Sequence, residues 1–264
     1  MPLLNHFAWP LDPLRPWSGS LVRWANAISD HFNKTLPDGW FAHPEIRWRQ
    51  EGDSVVVDER ENPALSIAGG DPLSEDGGGG GVATAALAEP KRTLDFDPDH
   101  DVVEVRVLDE RGRELVLAGV VEIVSPANKD RPSTREAFVA KTEGYIGAGV
   151  GTVIADIVTD KTRSLHRQLC QRMGDPDPEA DPVYASAYRL TDESPRTVQV
   201  WHEALAVDAP LPEMPLYLKG GPAVAVPLEA TYVAACEANR IDGDLVRRRI
   251  AERARGEHDA LASE

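Results

Sequence analysis

The segment Leu115-Val-Leu-Ala-Gly-Val-Val-Glu-Ile-Val-Ser-Pro126 limits the fold more than any other. From Leu115 to Val121 it contains no polar side chain, the pattern of a strand covered on both faces and central in its sheet. It then places Glu122 among valines and isoleucine. A carboxylate there costs several kcal/mol of desolvation unless it is paired, ligated or at a solvent-facing cleft. The chain must therefore supply Glu122 with a partner.

The flanking sequence supplies the elements that surround such a strand. Val102 to Leu108, a turn at Asp109-Glu-Arg-Gly-Arg113 and the strand Glu114 to Val124 read as a hairpin. A helix follows, with Ser133 as N-cap, Glu136 three residues on, and Gly147 and Gly149 closing it. Thr152 to Val158 is a second buried strand. The intervening helix makes it parallel to the strand carrying Glu122. Lys141 lies three residues after Phe138 and four before Tyr145, on the apolar face of the helix, within reach of a strand carboxylate.

Upstream, Pro16 to Leu36 has the helical stripe Leu21, Trp24, Ala25, Ile28 and Phe32. Trp40 to Trp48 and Ser54 to Asp58 read as strands, the second ending on the carboxylate of Asp58. The organisation expected is residues 1–60 as the first helix and strands, 61–98 as a flexible acidic insertion with the run Gly77 to Gly81, and 99–174 as hairpin, helix, parallel strand and helix. Residues 175–264 carry further strands, Val183 to Arg189 and Thr197 to Trp201. A proline-rich extension follows as surface decoration, and then a terminal helix interrupted near Asp242-Gly243, packed on the same domain. The fold class is α/β, an αβββαβ core with a mixed sheet and helices on both sides.

Charge narrows the function. The 264 residues carry 28 basic and 44 acidic side chains, a net of −16, which argues against a chain that coats nucleic acid non-specifically. Residues 51 to 110 hold 16 acids and 4 bases, leaving only −4 for the rest. Cys170 and Cys236 lack metal-ligand or redox spacing, and no run approaches the ~20 apolar residues that span a bilayer. A cytoplasmic protein is expected. His43, His100, His166 and His202 show no metal spacing and read as surface or loop histidines. Trp24 and Trp40 read as core. Asp156, inside the strand Ile154-Ala-Asp-Ile157, is expected to pair with a helix cation, with approach to the same cleft as Glu122 the alternative.

Two carboxylates and a lysine are the set that metal-assisted phosphodiester cleavage uses, with hard oxygens holding Mg²⁺ and the cation acting on the attacking water. A buried Glu122–Lys141 ion pair fixing the helix on the sheet is the other reading of the same residues.

The run VVEIVSPANKD, the helix segment KTEGYIGAGV and the strand VIADIV resemble the bacterial family called domain of unknown function 4058. The opening HFAWPLDPLRPWSGSLVRWANAISDHFNKTLPDGWFA and the late WHEALAVDAPLPEMPLYLKGGPAVAVPLEATY are similar to that family's ends. That family in turn looks like the Uma-type members of the PD-(D/E)xK superfamily, with a restriction-endonuclease-like fold. The resemblance implies Asp58 as first metal carboxylate, Glu122 as second, and Lys141 as catalytic lysine, because Val124 stands where the usual motif has lysine. Asp53, Glu45, Asp101 and Glu104 are alternates for the first carboxylate. Ser125, Pro126, Asn128 and Lys129 form the turn after the strand, near the substrate in this reading; Pro126 stopping the strand and Asn128 bonding its own backbone explain the first three, and Lys129 is the one left to meet a phosphate. Mg²⁺ is the implied cofactor, DNA the implied substrate, and a homo-oligomer or protein partner is expected beside a catalytically silent alternative.

Overall fold

The hydrophobic periodicities resolve, in a computed structural model, into a six-stranded mixed sheet sandwiched between two helical layers. The structure describes residues 1–12, 15–48, 101–191 and 196–261. The strand expected at 54–58 and the insertion expected at 61–98 lie outside these residues. The described elements run α1 (Trp17–Thr35), β1 (Trp40–Arg47), β2 (Val102–Asp109), β3 (Val116–Ile123), α2 (Pro126–Asp130), α3 (Pro132–Gly147), β4 (Gly151–Asp156) and α4 (Leu165–Arg172). They continue as β5 (Tyr184–Leu190), β6 (Val198–Ala204), β7 (Glu213–Tyr217), β8 (Ala223–Pro227), α5 (Leu228–Ala238) and α6 (Gly243–Leu261).

The sheet order is β1-β2-β3-β4-β5-β6. Every neighbouring pair is antiparallel except β3 and β4, which the α2–α3 crossover makes parallel. The expected α-β-β-β-α-β succession is thus present, and β5 and β6 extend it. Because side chains alternate along a strand, Val103, Val105, Val107, Val121, Ile123, Val153 and Ala155 face the larger core under α1 and α5. Val124, Ile154 and Tyr188 face a second core with Phe138, Val139 and Ile146 of α3 and Leu165 and Leu169 of α4.

Two expectations need correcting. The proline-rich stretch is not surface decoration. It forms the β7–β8 ribbon, whose Met214, Leu216 and Val226 are buried in the larger core. Its close approach to the sheet requires glycine: a Cβ on Gly151 would run into the Tyr217 carbonyl, and one on Gly119 would meet Leu216 and Leu218. The second correction concerns α3, which starts at Pro132 behind Arg131 rather than at Ser133. The Thr134 hydroxyl accepts from the Arg131 amide at 3.2 Å, and Pro132 occupies the first turn, where its missing N–H costs nothing.

Candidate active site

The strand register aligns three glutamates in one row. Glu45 on β1 lies opposite Glu104 on β2, which lies opposite Glu122 on β3. Neighbours in such a row point to the same face, here the face covered by α3. Glu104 and Glu122 are buried, and Arg106, two residues along β2, shares their side of the sheet.

The lysine expected to meet Glu122 does so. Lys141 Nζ lies 2.7 Å from Glu122 Oε1 and 3.0 Å from Glu104 Oε2. Arg106 Nε donates to Glu104 Oε1 at 2.6 Å, and its other arm lies 3.6 Å from Glu45. The Tyr145 hydroxyl, one helical turn beyond Lys141, donates to Glu104 at 3.2 Å. Glu104 therefore has a cation or hydroxyl on both oxygens. The Lys141–Glu122 contact is close but its angles do not meet hydrogen-bond geometry, so Glu122 Oε1 is a buried oxygen without a hydrogen bond.

Two carboxylates this close do not both ionise freely. Burial, aided by the charge of Glu104, pushes Glu122 up to about 8 against the pull of Lys141. Burial works on Glu104 too, but Lys141, the hydrogen bond from Glu122 and Arg106 outweigh it and hold Glu104 down at about 2. Glu122 is thus the carboxyl biased toward keeping a proton and Glu104 the one biased toward charge. Burial opposes the charge on Lys141, yet the two glutamates raise its pKa on balance. Tyr145 is pushed up to about 12 by burial and by Glu104. Lys141 and Arg106, 19% and 27% exposed, stand between the carboxylates and solvent.

The remaining sequence-derived residues separate into other groups. Asp53 and Asp58 lie outside the described residues. Asp101 does not join the cluster; its carboxylate accepts from Ser125 Oγ at 2.8 Å and its carbonyl from Asn128 Nδ2 at 2.9 Å. Asn128 Oδ1 in turn accepts from the Ser125 amide at 2.9 Å. Ser125 and Asn128 are thus buried and spent on ordering the turn, not presented to a substrate. That is the structural role the turn residues suggested, whereas Lys129, expected at a phosphate, is placed elsewhere. It is fully buried, 2.9 Å from Asp156 Oδ2, and donates to the Pro182 carbonyl at 2.6 Å, so it holds the end of β4 and does not meet a phosphate. Asp156 has the cationic partner expected for it, and burial still pushes it up to about 6.

Sequence reasoning missed Arg106 and Tyr145, although spacings of two from Glu104 and four from Lys141 mark both positions. It also misplaced two histidines. His166 on α4 is buried, its ring stacked on His202 of β6 at 4.2 Å, and His202 Nδ1 lies 2.8 Å from Ser186 Oγ. His202 Nε2 reaches Asp181 at 3.0 Å, completing a Ser–His–Asp chain, but Ser186 is buried in mid-strand, where no substrate reaches it.

The glutamate row sets two carboxylates side by side, the donor type a hard divalent cation takes, and leaves one of their oxygens without a hydrogen bond. No group of three or more His, Cys, Asp or Glu side chains that could hold a metal ion occurs among the described residues. Among the described residues no helix is long and apolar enough to cross a membrane. No family model matches the chain, and neither a curated protein nor a solved structure matches it.

Proposed function

We propose that the Glu104–Glu122–Lys141 cluster is a divalent-cation site for phosphodiester hydrolysis, with DNA as the substrate class. The observation that carries this reading is the meeting of two buried, register-paired carboxylates with a helix lysine while Glu122 Oε1 has no hydrogen bond. Glu104 and Glu122 would hold Mg²⁺, which when bound supplies Lewis-acid polarisation of a phosphoryl oxygen and a water acidic enough to ionise near neutrality. Lys141 orients that water and offsets developing negative charge. Arg106 fixes Glu104 from the opposite side and presents its exposed edge to a phosphate. Glu104 takes the place that Asp58 holds in the resemblance.

The test is cleavage of linear and supercoiled DNA in Mg²⁺ or Mn²⁺. Wild type is expected to nick or cut, and Glu122→Ala and Lys141→Ala to lose at least about a hundredfold. Metal-dependent cleavage that survives both substitutions would overturn the assignment.

A second reading has its own support. Both Glu104 oxygens are already engaged, and Lys141 and Arg106 close the cluster toward solvent. A silent binding or assembly module would use this cluster as a structural clamp of α3 on the sheet. That reading expects no thermal shift with Mg²⁺ or Mn²⁺ in wild type or in Lys141→Met, whereas the hydrolytic reading expects a shift in both, larger in Lys141→Met, where the competing ammonium is gone.

A further inference from the structure

A cavity of about 300 Å³ opens where the C-terminal end of α3, the end of β5 and the β7–β8 turn meet. No residue of the glutamate row lines it. Its charged lining residues among those described are Arg189, Arg196 and Lys219, all exposed, and no acidic side chain among the described residues lines it. None of the three has an ion-pair partner among the described residues. In a chain with a net charge of −16, three cations around one small concavity would repel one another without an anion between them.

The walls are organised before any ligand arrives. The Arg189 guanidinium lies 4.5 Å above the Tyr217 ring, which is itself stacked on Trp201 at 5.1 Å, so the arginine fork is held in one plane. The turn is fixed on both sides: the Leu218 amide donates to the Pro222 carbonyl and the Leu218 carbonyl accepts from the Gly221 amide, the Lys219 amide donates to the Ala118 carbonyl, and Arg111 donates to the Gly220 carbonyl at 3.2 Å. Gly149 and Gly220 adopt positive φ of 77° and 67°, and a Cβ at either would enter open space.

The C-terminus of a helix carries carbonyls that disfavour an anion, and α3 ends here. Its carbonyls are already taken: Gly144, Tyr145 and Ile146 accept from Ala148, Val150 and Gly149. The cations are therefore not spent in capping α3.

We propose that this cavity binds a small phosphorylated molecule, its phosphate oxygens held by Arg189, Arg196 and Lys219. Phosphate is the class that matches because it offers at least two negative charges and a face for a planar guanidinium fork. The volume lies at the lower end of the roughly 300–1,000 Å³ of small-molecule sites, which favours a small ligand over a polymer.

Calorimetric titration with pyrophosphate and with adenosine monophosphate, in EDTA at low ionic strength, tests this independently of the glutamate row. Saturable one-to-one binding of either is expected. Neutralising each cation removes a charge-assisted bond and about tenfold in affinity. Arg189→Gln/Lys219→Gln should thus weaken binding by about a hundredfold at an unchanged melting temperature. Arg23→Gln, an exposed cation elsewhere, should leave it unchanged. The proposal is overturned by heats indistinguishable from dilution, by equal weakening in Arg23→Gln, or by binding of oligothymidylate through these residues without binding of either small phosphate.

Discussion

Glu104 and Glu122 lie directly opposite each other on adjacent strands, both sealed from water, and share the ammonium of Lys141 at 3.0 and 2.7 Å. Like charges in that position are destabilising unless a proton or cation separates them. The two residues consequently have unequal roles. Glu104 is the anion that anchors Lys141, Arg106 and Tyr145, and Glu122 is the carboxyl that burial biases toward the neutral form.

Neutralising the two should therefore have unequal effects. Glu104→Gln leaves Lys141 and Arg106 without their common anion and is expected to cost about 3–5 kcal/mol. Glu122→Gln replaces a carboxyl that burial already biases toward the neutral form by a neutral amide, and the change is expected to stay within about 1 kcal/mol at pH 7. Urea unfolding of both variants decides it, and a larger loss in Glu122→Gln would sink the division of roles.

Lys129 and Asp156 form the second buried ion pair, both wholly inaccessible, with the Pro182 carbonyl as a further acceptor. Lys129→Met strands the Asp156 carboxylate and is expected to lose about 3–5 kcal/mol. Adding Asp156→Asn should recover part of that loss. A double-mutant cycle with a coupling energy below about 0.5 kcal/mol would show that the pair does not act as a unit.

Acid sensitivity is expected from His6. Its Nε2 meets the Tyr232 hydroxyl at 2.7 Å, its Nδ1 is buried without a partner, and burial lowers it from 6.5 to about 4. The unfolded chain binds this proton more readily than the folded one, so the stabilisation is complete above about pH 6.5 and is lost as pH falls toward 4. The shift corresponds to about 3 kcal/mol. Between pH 7 and pH 4.5, His6→Phe should show a flatter stability profile than wild type, and identical slopes would refute the assignment.

Gly151 marks where the β7 backbone crosses the first residue of β4. Gly151→Ala places a methyl group against the Tyr217 carbonyl, which is backbone and cannot rotate away. A loss of at least about 2 kcal/mol is expected by thermal unfolding, whereas Gly144→Ala, on α3 with open space around it, should be neutral or stabilising.

The sequence by itself determined the elements and one half of the cluster. Short apolar runs gave β2, β3 and β4, the intervening helix made β3 and β4 parallel, and the three- and four-residue spacing from Phe138 and to Tyr145 turned Lys141 toward the sheet. A carboxylate in an apolar strand announced that Glu122 needed a partner, because burial without one is too costly.

Tertiary structure decided which carboxylate stands beside it. That choice rests on strand register, and sliding a strand by one residue would turn Glu104 to the opposite face and bring another side chain into the row. Local sequence carries no record of register between β2 and β3 beyond the turn that joins them. For the same reason Lys129 looked available in a turn yet is buried against Asp156, and His166, Ser186 and His202 came together from three elements with no spacing to reveal them. Periodicity fixes the face on which a residue lies, and only packing of distant segments fixes what it meets there.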